Sequence, residues 1–363
     1  MNERDITVGL SASVSGRFAP QGRQALQGCL LWQSYVNREG GLAVERGERR
    51  PVRLVWYDDG SQIRNARNNL LRLIREDRVD ALLGPYSSVL TIAVAEIAEE
   101  HKKVLWNHGG ASDEISGRGW KYLVNTPTPA SDYLRALPHW LAATDSRINR
   151  IAVLYSEPGS FARQVARGVV ESAAMVGQSV ELVPIEPPVS NPASIISAIL
   201  ACDPEAVVLA ARLEDELAIM RTRQHWPGRV RAVAAVAAGI RAFSTELGPT
   251  AEGVLGPSQW EPGVNFPEIL GPGSTWFVHS FQKQFGALPD YVAAGSFASG
   301  VILAECIHRV RCTDNERLRG AAGELDCHTL HGRFRIDPGS GKQVGHRVLL
   351  IRWRENQKQI LSS

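Results

Sequence analysis

The chain has 363 residues, of which 44% are apolar and 21% charged, and its 40 basic and 38 acidic side chains leave a formal net charge of +2. This length suggests two domains of roughly 150 residues each. The composition is that of a globular protein and excludes disorder, collagen and coiled coil. The small, evenly mixed charge excludes a basic face for nucleic acid. The longest unbroken apolar run, AVAAVAA at 232–238, is far shorter than the roughly 20 residues of a membrane-spanning helix.

Strand-like apolar runs alternate with amphipathic helical runs in the first part of the chain. The predicted strands are 6–10, 52–57, 80–84 and 104–106, and the predicted helices are 21–38, 62–76 and 88–100. In the second helix, Ala66, Leu70 and Leu73 form an apolar stripe at helical spacing. The strands are continuously apolar, as expected of a parallel sheet that helices cover on both faces.

The same alternation begins again at residue 150. It predicts strands at 150–155, 179–185, 206–211, 231–236 and 253–257, and helices at 160–176, 192–200 and 215–225. Between the two series, the segment 121–131 contains prolines that forbid helix and suit a crossing between domains. Helices at 275–285 and 292–310 and strand-like pieces TLHGRFRID and RVLLIRW follow, so we expect the chain to cross back and then return once more.

The N-terminus and the cysteines leave the compartment open. MNERDITVGLSAS has no charged region followed by an apolar one. Either the protein is cytosolic or its signal peptide has been removed. Five cysteines are too few for a disulfide framework. Cys312 ends a predicted helix and Cys327 precedes a strand, so the two can form a disulfide in an oxidising compartment. The alternative is two unrelated thiols.

No catalytic signature is present. The sequence lacks GxSxG, GxxxxGK[ST], HExxH and GxGxxG, so we expect neither an enzyme nor a cofactor. The cluster CHTLH at 327–331 would place His328 and His331 on opposite faces of a strand, which is wrong for a shared metal. We therefore expect no metal site and interpret both histidines as surface residues.

The informative segments are the loops after strands, because ligands of open parallel sheets bind beyond the carboxyl ends of the strands. In GPYSS at 84–88, Ser87 and Ser88 begin a helix, where hydroxyls, exposed N–H groups and the helix dipole favour an anion. The alternative is that one of these serines is only an N-cap.

Two further loops follow strands. In NHGGASDE at 107–114, Gly109 and Gly110 allow close approach of the backbone to a ligand and leave N–H groups free to bind it, although a tight turn explains them equally well. In YSEPGSFA at 155–162, Ser160 and Phe161 would face a cleft. The alternative for Phe161 is packing at the start of a helix.

Together these segments resemble the type I periplasmic solute-binding proteins, in particular the leucine/isoleucine/valine-binding branch that serves amino-acid ABC transporters. The resemblance covers nearly the whole chain. It depends on ITVGLSASVSGRFAPQG at 6–22, NREGGL at 37–42, VWYDDGS at 55–61, LLGPYSS at 82–88, NHGGASDEI at 107–115, EGVLGPSQW at 252–260, FGALPDYVAA at 285–294 and LHGRFRIDPGSGKQVG at 330–345.

The resemblance implies an α/β fold of two Rossmann-like lobes with parallel sheets, joined by three crossover segments. We expect lobe I to comprise 1–125 with 259–325, and lobe II 126–258 with 326–363, with a ligand cleft between lobes that close on the ligand. It also implies a monomeric, non-enzymatic binding protein that serves an ABC permease in the periplasm or outside the cell. The alternative is a cytosolic ligand-sensing regulator of the same fold, similar to the amide sensors.

The resemblance also implies the site. In the amino-acid binders, the ligand carboxylate is held by groups that Ser88, Gly109 and Ala111 match here. The expected ligand-binding residues are Phe18, Tyr86, Ser87, Ser88, Trp106, Gly109, Gly110, Ala111, Ser160, Phe161, Arg212, Trp260 and Tyr291.

The sequence departs from the leucine-type binders in two places. The acid that pairs with the ligand ammonium is missing from 231–240, and only Glu157, Glu214 or Asp215 can replace it. Arg212 stands where those binders carry a neutral side chain, and a cleft arginine favours a carboxylate, unless it pairs with the acids beside it. We therefore expect a small carboxylate-bearing ligand, either an amino acid or an acid that lacks the amine.

Overall fold

The computed structural model describes residues 5–44, 47–157, 159–266 and 269–362. The chain forms two units. Unit 1 consists of the chain up to Thr128 together with Trp260–His346, and unit 2 of Pro129–Gln259 together with the chain from Arg347 onward.

Three segments lie in a different unit from the one expected. Two are at boundaries: residues 126–128 belong to unit 1 and Gln259 to unit 2. Residues 326–346 belong to unit 1, whereas the sequence assigned them to lobe II. The reason is packing: Leu330, Phe334 and Ile336 are buried in the same apolar core as the first strand of the chain.

The strands and helices follow the alternation that the sequence predicts. The strands are β1 Ile6–Ala12, β2 Leu42–Ala43, β3 Arg49–Arg50, β4 Val52–Asp58, β5 Ala81–Leu83, β6 Leu105–Asn107, β7 Leu123–Asn125, β8 Arg150–Ser156, β9 Ser179–Ile185, β10 Ala206–Ala210, β11 Ala232–Ala235, β12 Leu255–Ser258, β13 Asp326–Thr329, β14 Gly332–Arg335, β15 Leu349–Arg354 and β16 Gln357–Ser362. The α-helices are α1 Ala19–Arg38, α2 Ile63–Arg75, α3 Ser88–Glu100, α4 Asp113–Gly117, α5 Leu137–Thr144, α6 Ser160–Met175, α7 Pro192–Cys202, α8 Leu213–Met220, α9 Arg241–Leu247, α10 Ser274–Phe285, α11 Tyr291–Val310 and α12 Asn315–Glu324.

Unit 1 contains a five-stranded parallel sheet in the order β4-β1-β5-β6-β7. Successive strand residues point to opposite faces, so each continuously apolar strand contributes side chains to a core on either face of the sheet. Trp106 packs with α1 and α11 on one face, whereas its neighbour Leu105 packs with α2 and α3 on the other. Both faces of this sheet are therefore covered by helices.

Helix α11 is long and apolar enough to cross a membrane by length and composition, and 78% of its apolar window is buried inside the protein. It packs along α1, and Gly28 of α1 lies at the closest approach. A Cβ atom at Gly28 would overlap with Ser296 Oγ and with the carbonyl oxygen of Ala293. The contact of α1 with α11 therefore requires glycine at this position.

We expect Gly28→Ala to destabilise the protein by about 1 to 3 kcal/mol, because the added methyl group overpacks the interface between α1 and α11. The control is Gly320→Ala in α12, where no heavy atom lies within 4 Å of the new Cβ. That change should stabilise the helix by up to about 1 kcal/mol. Urea unfolding measures both variants, and equal unfolding free energies would contradict the packing assignment.

Unit 2 contains a seven-stranded sheet in the order β16-β15-β12-β11-β10-β8-β9. Strands β8 to β12 are parallel, and β15 and β16 join antiparallel at one edge. Every residue of β10 is buried, as its continuous apolar sequence predicts. The carboxyl ends of β8, β10 and β11 therefore lie along one edge of this sheet.

Candidate functional site

The carboxyl-terminal edge of the unit 1 sheet brings together the loops that the sequence singled out. The neighbouring parallel strands β1, β5 and β6 end at this edge. The loops that follow are 13–18, 84–87 and 108–112. This edge is where open α/β sheets bind ligands.

Ser88 is the first residue of α3 and is half-buried. Its hydroxyl oxygen accepts hydrogen bonds from the backbone N–H groups of Ala111, at 3.1 Å, and Ser112, at 2.9 Å. These bonds occupy both lone pairs of the oxygen, so the hydroxyl proton remains to donate. Within the described residues that proton has no acceptor. Ser88 is thus a hydrogen-bond donor that suits an anionic group.

Ser87 has a different role. It is the N-cap of α3, and its side chain accepts from the backbone N–H of Leu90 at 3.4 Å. Its φ of 85° lies in the left-handed region, which is unusual for a residue other than glycine. The N-cap alternative therefore describes Ser87, and Ser88 is the serine whose hydroxyl can donate a hydrogen bond to a ligand.

The backbone N–H groups of the loop after β6 are already bonded. Asn107 Oδ1 accepts from Gly109 N at 3.1 Å and from Gly110 N at 2.8 Å, and Ser88 accepts from Ala111. The expectation that these N–H groups remain free for a ligand is therefore wrong. A buried loop must satisfy its own backbone donors, and here two polar side chains do so.

Close approach of two loops explains the paired glycines. Gly109 forms a parallel bridge with Tyr86, and a Cβ atom at Gly109 would lie 2.7 Å from Tyr86 Cα and 2.8 Å from the carbonyl oxygen of Pro85. At Gly110 the new atom would lie 2.6 Å from Thr91 Cβ. The glycines hold the loop after β6 against the loop that carries Ser88.

Two aromatic side chains lie at the same edge. Phe18 and Tyr86 are half-buried and contact each other edge to face, with ring centroids 6.0 Å apart. The guanidinium of Arg17 lies over the Phe18 ring at 4.7 Å. These rings offer an apolar surface beside Ser88.

A buried polar network holds the loop that carries Phe18. Ser61 Oγ accepts from the backbone N–H of Phe18 at 3.0 Å and donates to the carbonyl oxygen of Ser15 at 2.8 Å. Asp59 is fully buried and accepts from the Ser13 hydroxyl at 2.6 Å and from the backbone N–H of Ser61 at 2.8 Å. The DDGS sequence after β4 therefore positions the loop after β1.

Three further expected ligand residues of unit 1 belong to its core. Trp106 and Trp260 are 1% and 2% exposed, and both lie in the apolar cluster. Trp260 donates its indole N–H to Ser274 Oγ at 3.2 Å. Tyr291 begins α11 and packs partly against the same cluster. The tryptophans are thus corrected from ligand contacts to core residues, because both side chains are buried in the apolar cluster between the sheet and the helices.

The corresponding edge of unit 2 carries Ser160 and Phe161, which begin α6 after strand β8. Both are half-buried. The Phe161 ring meets Tyr133 edge to face at a centroid distance of 5.2 Å, and the Tyr133 hydroxyl accepts from Gln259 Nε2 at 2.7 Å. The packing alternative therefore describes one side of the Phe161 ring, which contacts Tyr133 at the start of α6.

Arg212 follows strand β10 and is the N-cap of α8. It is half-buried, and in the part of the chain that the structure describes its guanidinium forms no ion pair with Glu214 or Asp215. The alternative of a local ion pair is therefore not observed. An unpaired guanidinium at the carboxyl edge of a parallel sheet is suited to a carboxylate.

A sequence model described as periplasmic binding protein matches residues 5–358. The chain belongs to this family. Its fold is that of the type I periplasmic binding proteins, as the resemblance implied. Among relatives, Leu/Ile/Val-binding protein homolog 8 of Brucella abortus is 27% identical over 304 residues, which cover 78% of this chain and 71% of that protein.

Solved structures share the fold of this periplasmic binding protein. The leucine-binding protein LivK of Thermotoga maritima is 18% identical, with a TM-score of 0.85 and 98% of each chain covered. LivJ of Streptococcus pneumoniae, solved with isoleucine, is 16% identical, with a TM-score of 0.85 and coverage of 99% of this chain and 100% of that one. An ABC transporter solute-binding protein of R. palustris, solved with benzoate, is 18% identical, with a TM-score of 0.81 and coverage of 99% and 96%. The cytosolic regulator has no support among these proteins.

The three acids that could replace the missing one have other surroundings in this binding protein. The Glu157 carboxylate lies 3.6 Å from the Arg163 guanidinium. Asp215 is 3% exposed and accepts from the backbone N–H of Val189 at 2.8 Å. Glu214 is exposed on α8. Two of the three therefore already have partners.

Sequence reasoning missed Glu216, which is fully buried in α8. Its two carboxyl oxygens accept from the backbone N–H groups of Ala211, at 2.8 Å, and Ala237, at 2.7 Å. It thereby joins the loop after β10, which carries Arg212, to the loop after β11. Burial raises the pKa of Glu216 to about 8, against the opposite effect of these N–H groups. The sequence feature that could have pointed to Glu216 is the acidic run EDE at the start of α8.

We expect the Glu216 carboxyl to make stability depend on pH. Its folded-state pKa of about 8 exceeds the ordinary value of 4.5, so its stabilising contribution is complete below about pH 4.5 and is lost as pH rises to about 8. The loss should approach about 1.4 kcal/mol per pH unit within that window. Glu216→Gln lacks this titration, so its unfolding free energy relative to the unmodified protein should rise from pH 5 to 8. A difference that is constant with pH would contradict the assignment.

Gln21 is a second residue that the sequence did not single out. It lies in the first turn of α1, just after Phe18, and is 9% exposed. Its Oε1 atom has no hydrogen-bond partner among the described residues. Gln21 Oε1 is thus a buried acceptor whose partner the described residues do not supply.

The structure agrees with the second alternative for the cysteines, two unrelated thiols, and shows that one expectation for the histidines is wrong. All five cysteines are free thiols, and no disulfide joins Cys312 to Cys327. Cys327 packs against the unit 1 core in β13, whereas Cys312 lies beyond the end of α11. His331 is buried rather than on the surface, because its ring stacks on His346 at a centroid distance of 4.5 Å. Burial lowers the pKa of His331 well below its ordinary value.

Proposed function

We propose that this chain is the solute-binding component of an ABC transporter and that it binds a small carboxylate-bearing ligand. The observation that carries the proposal is the Ser88 hydroxyl, whose oxygen is occupied as an acceptor and whose proton remains to donate. On unit 2, the Arg212 guanidinium has no ion-pair partner among the described residues. A guanidinium can bind a carboxylate through two parallel hydrogen bonds. We infer that Ser88 and Arg212 each offer a group that suits an anionic ligand.

The ligand also has an apolar part in this proposal. Phe18, Tyr86 and Phe161 are half-buried aromatic side chains at the two carboxyl edges. Relatives of known structure were solved with isoleucine and with benzoate, which both combine a carboxylate with an apolar body. An aliphatic or aromatic acid of that size fits the same chemistry.

We further propose that an α-amine contributes little to binding. The segment 231–240 contains no acid, and Glu157 and Asp215 already have partners. Glu216 directs its oxygens to backbone N–H groups. An ammonium would therefore lack the counter-charge that the leucine-type binders supply.

The remaining parts of the proposal follow from the family. Binding proteins of this class deliver solutes and do not transform them, so we propose that this chain has no catalytic activity. We also propose that it is a monomer. Its partner would be an ABC permease, and its location the periplasm or the cell exterior. The names of the matched relatives support this assignment.

Thermal shift with matched ligands tests the proposal. Isoleucine, 3-methylpentanoate and isoleucinamide differ only in the amine and the carboxylate, and benzoate and benzamide form a second pair. We expect one or both carboxylate series to raise the melting temperature, and the amides not to. The amine-free acid should match or exceed isoleucine. Stabilisation by an uncharged amide or a sugar, and by no carboxylate, would refute the proposal.

A further inference from the structure

The buried side chain of Asn107 connects two strands at the ligand-binding edge of unit 1. It is fully buried at the end of β6, and its Nδ2 donates to the carbonyl oxygen of Gly110 at 2.6 Å and to Asn125 Oδ1 at 2.7 Å. Its Oδ1 accepts the two N–H groups of the Gly109–Gly110 turn. One amide therefore bonds the loop after β6 on one side and strand β7 on the other.

The bonds continue from β7 to a distant part of the chain. Asn125 donates both its backbone N–H, at 3.1 Å, and its side-chain Nδ2, at 2.9 Å, to the carbonyl oxygen of Gly341. Gly341 has a φ of 68°, and a Cβ atom there would overlap with the carbonyl oxygen of Leu123. The position of Gly341 is thus closely tied to that of Asn125.

These contacts lie on the two segments that lead out of unit 1, which we term the exit segments, residues 125–128 and 341–346. The chain leaves unit 1 after Thr128 and again after His346. Gln343 Nε2 donates to the carbonyl oxygen of Thr126 at 3.2 Å. Thr128 Oγ1 and His346 Nδ1 lie 2.6 Å apart, within hydrogen-bond distance. The exit segments are therefore bonded to each other at several points.

We propose that Asn107 is a positioning residue that couples the loop after β6, residues 108–112, to the exit segments. The Asn107 amide supplies an oxygen that accepts from both Gly109 and Gly110 and a nitrogen with two protons, one of which it donates to Asn125. Ligand bound at Ser88, whose oxygen accepts from Ala111 and Ser112 of this loop, thereby alters the segments through which the chain continues into unit 2. That a ligand acts on this loop through Ser88 rests on the proposed function, whereas the coupling lies wholly within unit 1.

Hydrogen exchange without ligand tests the coupling from both ends. Asn107→Asp keeps an acceptor for Gly109 and Gly110 but cannot donate to Asn125, so exchange in 341–346 should accelerate about five- to tenfold, as expected for the loss of one buried hydrogen bond. Asn125→Ala leaves the 108–112 sequence unchanged, yet exchange in that loop should accelerate several-fold. Mass spectrometry of peptic peptides reads both segments.

The matched control is Asn37→Asp. Asn37 also bonds a neighbouring strand through its side chain, donating to Val52 O at 2.8 Å and accepting from Val52 N at 2.7 Å, but at the amino-terminal end of β4. It should leave both segments at their original rates. The proposal is wrong if Asn107→Asp accelerates exchange only in 108–112, or if Asn125→Ala accelerates exchange only in the exit segments. Because no ligand is present, a failure of carboxylate binding would not affect this test.

Discussion

Replacing Arg212 with alanine is expected to lower the affinity for a carboxylate ligand by about 30-fold to several thousand-fold, the range for leaving a desolvated charge without its partner. The reason is that Arg212 carries the unpaired guanidinium at the edge of the unit 2 sheet. Ser88→Ala should weaken binding less, by about 10- to 150-fold, because it removes one hydrogen bond to a charged group. Calorimetry with the acid that gives the largest thermal shift measures both.

Two controls separate this effect from general loss of charge or fold. Arg163→Ala removes a guanidinium at the start of α6 that already pairs with Glu157, and should leave the affinity within a few-fold. Ser88→Thr retains the hydroxyl and should bind more tightly than Ser88→Ala. If Arg212→Ala binds as tightly as the unmodified protein, the assignment of the carboxylate site is wrong and the fold assignment is unaffected.

Gly109→Ala is expected to abolish measurable ligand binding and to destabilise the protein by about 1 to 3 kcal/mol. The new methyl group would lie 2.7 Å from Tyr86 Cα and 2.8 Å from Pro85 O. Both are backbone atoms, which cannot move aside as a flexible side chain can. The loop that carries Ser88 would therefore separate from the loop after β6, and the bonds from Ala111 and Ser112 to Ser88 would lengthen.

Gly117→Ala is the matched control, because it lies at the end of the following helix and no heavy atom lies within 4 Å of its new Cβ. It should retain both affinity and stability. Urea unfolding and calorimetry on the two variants give the comparison. Normal binding by Gly109→Ala would show that the contact between Tyr86 and Gly109 does not hold the site together.

Local patterns predicted most of the elements because helical and strand periodicities are properties of neighbouring residues. The strands 6–10 and 206–211 and the helix 62–76 required no knowledge of distant contacts. Residues 326–346 were assigned to the wrong unit because a hairpin belongs to the core it packs on, and the burial of Phe334 in unit 1 depends on residues far away in sequence.

The site was predicted less completely for the same reason. Position after a strand located Ser88 and Arg212, since the carboxyl ends of parallel strands share an edge. It could not tell that the Trp106 side chain points into the helix-covered core. Glu216 and Asn107 were not predicted from the sequence, because their hydrogen-bond partners include Ala237 and Asn125, which no local pattern links to them.

The saturated oxygen of Ser88 has a consequence for transport from acidic surroundings. Because both of its lone pairs are bonded to Ala111 and Ser112, a protonated carboxylic acid that turned its own O–H toward Ser88 would meet an oxygen unable to accept it. The neutral acid could bind Ser88 only through its carbonyl oxygen, without the charge that strengthens this bond in the ionised form, so it should bind more weakly. The affinity should therefore fall as the pH drops below the pKa of the acid, and of two acids of equal shape the stronger acid should keep its affinity to lower pH.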